Sequence, residues 1–339
     1  MRLRIAAVQL SPVIGQVEEN ARRAARILDK VFSSSRVKSP DLIILPELAI
    51  TGYNFQSRAH IIPYLETIGG GRSYQLGREL STKYQCHTLL GYPERYPINE
   101  SGAFKIYNSA VLISPTGSVI YNYRKSFLYE TDEQWGCEES PDGFQSFDLN
   151  INGRRLKSTI GICMDLNPYK FKAPFDEYEF ATFCYENDVD LVLVPTAWLN
   201  SKWSEDWTDT DVKEYSKLYS EEEPVEVNVD PAQNDILMTP DTDEQFRRGS
   251  PDKKTGRYWV LRMNPLYTNP HPGKRKLVVI CNRSGMEDKM MYAGTTSIMR
   301  FDGGPSHTSE ATGEMFIDFN MYGSMGQGNE GVLVRDVDT

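Results

Sequence analysis

An α/β fold, with layers of helix packed on mixed sheets, is predicted by three observations. Short aliphatic runs that read as buried strands alternate with stretches whose apolar residues recur at helical spacing. A hairpin signal at Thr116-Gly117 interrupts an otherwise parallel pattern. Hydrophobic residues make up 40% and charged residues 25% of the 339, the balance of a chain that buries a core rather than staying disordered.

Residues 4–10 form a near-continuous apolar run and predict a buried strand. After Pro12 and Gly15, residues 18–32 carry Ala21, Ala24, Ala25, Leu28, Val31 and Phe32 at helical spacing. Residues 41–46, DLIILP, predict a short strand that delivers Glu47 at its C-terminal end. A helix follows over 71–84 and a strand over 87–92. Residues 107–115 and 118–123 then pair antiparallel across the Thr116-Gly117 turn. Further on, 157–163 and 190–195 (DLVLVP) read as strands flanking a helix over 175–187, and 276–282 and 295–301 complete the strand set. The uneven stretch is 205–244, where 14 acidic residues face 2 lysines. It reads as an acidic surface insertion, either a solvated loop or a substrate-shaping element, with a short helix over 212–220 that Pro224 stops.

Charge and cysteine usage narrow the function. A net charge of −10 disfavours a nucleic-acid binder, which needs clustered Lys and Arg, and favours neutral or cationic partners. Five cysteines, an odd number with no CxxC spacing, predict no disulfide framework and fit a reducing, cytoplasmic setting. The N-terminal apolar stretch is interrupted by Gln9 before Pro12, unlike a secretory signal, and no run is long enough to span a bilayer. Gly69-Gly70-Gly71-Arg72 lacks the spacing of a nucleotide loop.

Three reactive residues each follow a hydrophobic strand: Glu47 in LIILPELAITGY, Lys125 in VIYNYRKSFLYE and Cys163 in STIGICMDLN. Strand ends are where distant segments of a layered α/β fold converge in a pocket. The combination has a chemical logic, because a neutral thiol is a poor nucleophile that a carboxylate can deprotonate. A fixed ammonium beside it lowers the thiol pKa and stabilises the oxyanion of a tetrahedral intermediate. Singly, each has a bland structural reading: a core thiol or a solvated charge.

The three motifs, in this order, resemble the nitrilase, or carbon–nitrogen hydrolase, superfamily: PELAITGY at 46–53 its glutamate motif, YRKSFLY at 123–129 its lysine motif, GICMDL at 161–166 its cysteine motif. RIAAVQLSP, DLVLVPTAW at 190–198 and CNRSG at 281–285 add to the likeness. What the resemblance implies is a four-layer α-β-β-α sandwich forming a single domain over 1–339, with a homodimer as the common assembly and no metal or organic cofactor. Carried over, Glu47 is the general base, Lys125 polarises the carbonyl, Cys163 forms a thioester and the Met164 N–H completes the oxyanion site. Many members have a second glutamate after the lysine, for which Glu133 is the candidate and Glu130 its competitor.

YRKSFLYETDEQWG and CMDLNPYKF resemble the fungal branch that deamidates N-terminal Asn or Gln of proteins in the N-degron pathway. Leu166 and Asn167 stand where many carbamoylases and omega-amidases have an arginine, which disfavours a carboxylate-reading pocket. A free α-amine calls for an anion; Asp165 is the candidate, with a structural carboxylate as the even alternative. Tyr53 and Trp198 are expected to line the pocket. The rival readings are a small-molecule amidase or carbamoylase with the same catalytic set, and a non-catalytic scaffold.

Overall fold

The alternating aliphatic runs build two sheets in the computed structural model, which describes residues 2–33, 37–99, 102–220, 225–229, 246–268, 274–302, 307–308, 315–316 and 319–338. One sheet has seven strands in the spatial order Val119–Arg124, Phe104–Ile113, His87–Pro97, Leu42–Ile44, Arg2–Gln9, Gly331–Asp338 and Glu226–Asn228. The other has six: Phe319–Ser324, Ser297–Phe301, Lys276–Asn282, Leu191–Thr196, Arg154–Ile160 and Ser146–Ile151. Parallel pairs at each centre are flanked by antiparallel pairs, and the edge strand Glu226–Asn228 pairs parallel with Gly331–Asp338, so both sheets are mixed.

Side-chain alternation along the strands divides the core into layers. Ile5, Ala7, Leu42, Ile44, Ala110 and Leu112 of the first sheet meet Ile160, Leu191, Leu193, Leu277 and Val279 of the second in one buried cluster. The opposite face of the first sheet is covered by the helices Val17–Phe32 and Gly71–Tyr84, whose Ala21, Ala24, Leu28, Leu76 and Leu80 are buried against it. The outer face of the second sheet packs on Glu179–Glu186 and Lys253–Arg262 through Phe180, Cys184, Trp259 and Val260. The result is the expected order helix, sheet, sheet, helix.

Several expected boundaries shift for local reasons. The strand read over 157–163 ends at Ile160, and Cys163 opens a one-turn 3-10 helix instead. The helix read over 175–187 begins only at Glu179, because Tyr178 takes a left-handed φ of 45°. Gly331–Asp338, not anticipated, pairs antiparallel with Arg2–Gln9 along its whole length and lies between it and the edge strand Glu226–Asn228. Its Arg335 disguises it: the side chain is buried, donating to Asn228 O and Oδ1. Within the acidic stretch a helix spans Asp209–Ser220, longer than expected, and residues 221–224 and 230–244 lie outside the described residues.

Candidate active site

Glu47, Lys125 and Cys163 come to one place because three strand ends point there. Pro46 ends the strand Leu42–Ile44, and the backbone then doubles back through Leu48 at φ 43°, held to the next strand by Gly91 N–H to Pro46 O and Ala49 N–H to Gly91 O. The approach is tight. A Cβ on Gly91 would lie 2.7 Å from Glu47 Cα and 2.6 Å from Leu48 N. Lys125 directly follows Val119–Arg124, and its N–H donates to Asn108 O on the neighbouring strand at 2.8 Å. Cys163 sits in left-handed backbone, φ 44°, between an extended Ile162 and the turn Cys163–Leu166. Such a conformation in a non-glycine residue is strained, and it aims the sulfur out of the sheet at a tight bend.

Glu47 and Lys125 are fully buried and paired at 2.6 Å, Oε1 to Nζ. The second glutamate oxygen, Oε2, accepts the Ala197 N–H at 2.7 Å, and that same N–H reaches the Cys163 thiol. Carboxylate, ammonium and sulfur thus share one neighbourhood. Burial raises the Glu47 pKa; Lys125 pulls it down and Asp132 pushes it up. Burial opposes the charge on Lys125, but Asp132 and Glu47 hold the ammonium well above its ordinary value. Burial and then the charge of Glu47 push the Cys163 thiol well up, and Lys125 counters only in part. Lys125 does lower the thiol pKa, as expected, but burial and Glu47 outweigh it, so the thiol stands well above its ordinary value.

The second carboxylate is Asp132, neither Glu133 nor Glu130. Asp132 Oδ2 accepts from Lys125 Nζ at 2.7 Å and from the Tyr129 N–H at 2.9 Å. It lies in the first turn of the short helix Glu130–Gln134, where helical phase turns Thr131 and Asp132 inward and Glu133 to solvent, 3.9 Å from Lys170. Choosing by residue type, rather than by helical phase, misplaced it.

Cys163 opens onto a cavity of about 430 Å3 walled by Tyr53, Tyr129, Met164, Phe171, Trp198 and Tyr258 among others. Tyr53, Met164 and Trp198, three of the candidates, thus line the cavity. Tyr53 is 2% exposed, its ring centroid is 5.7 Å from Lys125 Nζ, and its hydroxyl is buried without a hydrogen-bond partner. Asp165 is not on this wall. Its two oxygens accept the N–H groups of Ile162, Ser126 and Phe127 and the Tyr123 hydroxyl, at 2.7 to 3.1 Å, which ties the cysteine turn to the segment after Lys125. The structural alternative holds, and Asp165 has no capacity left for a substrate amine.

Two supports went unread in the sequence. Asn282, in the CNRSG motif, accepts from the Trp198 N–H and donates to Trp198 O, fixing the loop that carries Ala197. Glu287 is buried, pairs with Arg283 at 2.7 Å and accepts from the N–H groups of Tyr53 and Asn54, fixing the cavity wall. All five cysteines are free thiols. Among the described residues no cluster of His, Cys, Asp and Glu could hold a metal, and no helix is long and apolar enough to cross a membrane.

Residues 4–167 match the carbon-nitrogen hydrolase family model. Protein N-terminal amidase of Saccharomyces cerevisiae is 31% identical, over 99% of this chain and 95% of that protein. The chain belongs to the carbon-nitrogen hydrolase family. This hydrolase is also 29% identical to Protein N-terminal amidase of Schizosaccharomyces pombe, over 89% of this chain and 92% of that one. A crystal structure of an N-terminal amidase with an Asn-Glu-Ala peptide superposes with a TM-score of 0.84 at 30% identity, covering 99% of this chain and 97% of that one. One with a Gln-Gly peptide gives 0.85 at the same identity and coverage.

Proposed function

We propose that this hydrolase removes ammonia from the side-chain amide of an N-terminal Asn or Gln, leaving Asp or Glu, as a step of an N-degron pathway. The observation that carries the reading is the full-length likeness to N-terminal amidases whose crystal structures contain Asn- and Gln-initiated peptides, together with a cavity above Cys163 of a size for one such residue.

In this reading Glu47 takes the thiol proton as Cys163 Sγ attacks the amide carbon. The developing oxyanion lies between Lys125 Nζ and the Met164 N–H, near the start of a helical turn where backbone donors have no intrahelical acceptor. Glu47 returns the proton to the leaving nitrogen, ammonia departs, and the acyl group remains as a thioester. Water, deprotonated by Glu47, then attacks the thioester carbonyl; the acid is released and the thiol restored. The α-ammonium of the substrate needs an anion that Asp165 does not offer. A second cavity of about 330 Å3 adjoins the first across Tyr129 and is walled by Glu130, Glu205 and Asp288, with Lys289 nearby. These carboxylates are the partners we assign to the amine.

Lys254, on the rim of the catalytic cavity, favours a second reading, a small amide that bears a carboxylate. Ammonia release from Asn-initiated peptides, compared with the same peptides N-acetylated, separates the two, with Cys163→Ala as the blank. Equal rates on both forms would defeat the N-terminal assignment.

A further inference from the structure

Asn108 lies outside the glutamate, lysine and cysteine motifs at 46–53, 123–129 and 161–166, yet it bonds to Glu47, Lys125 and Asp132. It lies on the strand Phe104–Ile113, where period-two alternation puts Ile106, Asn108, Ala110 and Leu112 on one face, and Ala110 and Leu112 are part of the core between the sheets. An amide among aliphatics on an inward face is costly unless it is hydrogen-bonded. Here its Nδ2 donates to Glu47 Oε1 at 2.7 Å and to Asp132 Oδ1 at 3.0 Å. Lys125 Nζ donates to the same two carboxylates from the other side. The four groups close a ring in which two neutral N–H bonds and two ammonium N–H bonds alternate between the carboxylates. The Asn108 backbone joins in, since its carbonyl accepts the Lys125 N–H at 2.8 Å and its N–H donates to Cys137 Sγ at 3.1 Å.

We propose that Asn108 is a positioning residue for the amidase reaction: by bridging Glu47 and Asp132 it fixes the Glu47 carboxylate so that one oxygen serves Lys125 while the other stays turned to Ala197 N–H and Cys163. A purely structural role fits less well, because Asn108 Oδ1 is buried with no hydrogen-bond partner among the described residues, so the side chain leaves an acceptor unpaired there while placing its two donors. No other side chain of this size supplies two donors and no charge. Aspartate would set a third carboxylate beside Glu47 and Asp132, and leucine would keep the volume while removing both donors.

The groups that face Glu47 are Lys125, Asp132, Cys163, Cys137, Tyr53 and Tyr292, and Asn108 is the neutral donor among them. Its hydrogen bond holds the Glu47 pKa down, so removing it lets Glu47 keep its proton to higher pH. The test is Asn108→Leu, read by the pH profile of ammonia release from an Asn-initiated peptide and, without any substrate, by the pH profile of Cys163 alkylation with iodoacetamide. We expect kcat about 10- to 100-fold lower with KM changed less than threefold, as for a base held out of line, and an acidic limb moved to higher pH in both profiles. An unmoved limb with kcat within twofold of wild type would overturn the proposal. If Asn108→Leu does not fold, Asn108→Asp reads the same limb, with the same direction expected and the same unmoved limb as refutation. Failure of the wild-type protein to turn over the peptide would sink the substrate assignment instead, and the alkylation profiles would still decide the role of Asn108.

Discussion

Asp132→Asn is the substitution that weighs the second carboxylate directly. Asp132 accepts from three donors, Lys125 Nζ at 2.7 Å, Asn108 Nδ2 at 3.0 Å and the Tyr129 N–H at 2.9 Å. An amide in its place keeps one acceptor oxygen and turns an NH2 group toward at least one of those donors. Each charge-assisted bond lost costs about 1.5–3 kcal/mol. Lys125 retains Glu47 at 2.6 Å, so the total stays below the ~3–5 kcal/mol that follows when a buried charge loses its sole partner. A loss of about 2–3 kcal/mol in urea unfolding is expected. Turnover suffers more, because Lys125, the oxyanion donor of the proposed mechanism, is now steered from one side; kcat should fall about 10²- to 10³-fold.

The pH profile carries the sign. Burial raises Glu47, and Asp132 adds to that rise through its negative charge. With the charge gone Glu47 gives up its proton at lower pH, so the acidic limb of kcat/KM moves down, opposite to the shift expected for Asn108→Leu. Glu133→Gln is the control, since that side chain is solvated; kcat and stability should stay within twofold and about 0.5 kcal/mol of wild type. A crippled Glu133→Gln beside a healthy Asp132→Asn with an unmoved limb would refute this account.

Gly91→Ala forces a Cβ to within 2.7 Å of Glu47 Cα and shifts the base itself; kcat should drop about 100-fold while KM holds, and a fully active variant would show that the strand gives way at no cost. Tyr53→Phe removes a buried hydroxyl that has no partner, so unfolding should be unchanged or slightly harder, while KM for the peptide rises about tenfold if that hydroxyl binds substrate. An unaltered KM would make the ring, not the hydroxyl, the useful part. Asp165→Asn sets an NH2 group against donors that now bond to a carboxylate, and should cost about 3 kcal/mol or more in unfolding. A raised KM without loss of stability would return Asp165 to the substrate.

The residues that meet at the candidate site were legible because each sits in a short motif at the end of a hydrophobic strand, where position along the chain and position in the fold coincide. Glu47, Lys125, Cys163 and the aromatic wall at Tyr53 and Trp198 are of this kind. Asp132 was not, because ETDEQ offers three carboxylates in five residues, and only the start of the helix at Glu130 decides which one faces in. A faint signal did exist for Asn108, an amide interrupting an aliphatic face at period two. Sequence order also hid the strand Gly331–Asp338: its partner, Arg2–Gln9, lies at the opposite end of the chain, and no local pattern reports a pairing of that separation.

Burial and charge together oppose a free thiolate at Cys163. Lys125 stands between two carboxylates, so the buried set of Glu47, Lys125 and Asp132 carries one net negative charge when all three are ionised. A thiolate formed beside it would be a second negative charge in a dry place, which is why burial and Glu47 together push the thiol well up. In the proposed mechanism the proton leaves the sulfur as the sulfur's charge passes to the amide oxygen beside Lys125. In that mechanism a carbonyl seated at the correct point draws the charge off the sulfur as it forms. The two halves of the device come from different sheets: Glu47, Asn108 and Lys125 follow or lie on strands of the seven-stranded sheet, Cys163 and Ala197 follow strands of the six-stranded one. The packing of Ile44 and Ala110 against Ile160 and Leu193 is thus what sets the distance from base to sulfur, so loosening that core should lower turnover before it unfolds the chain.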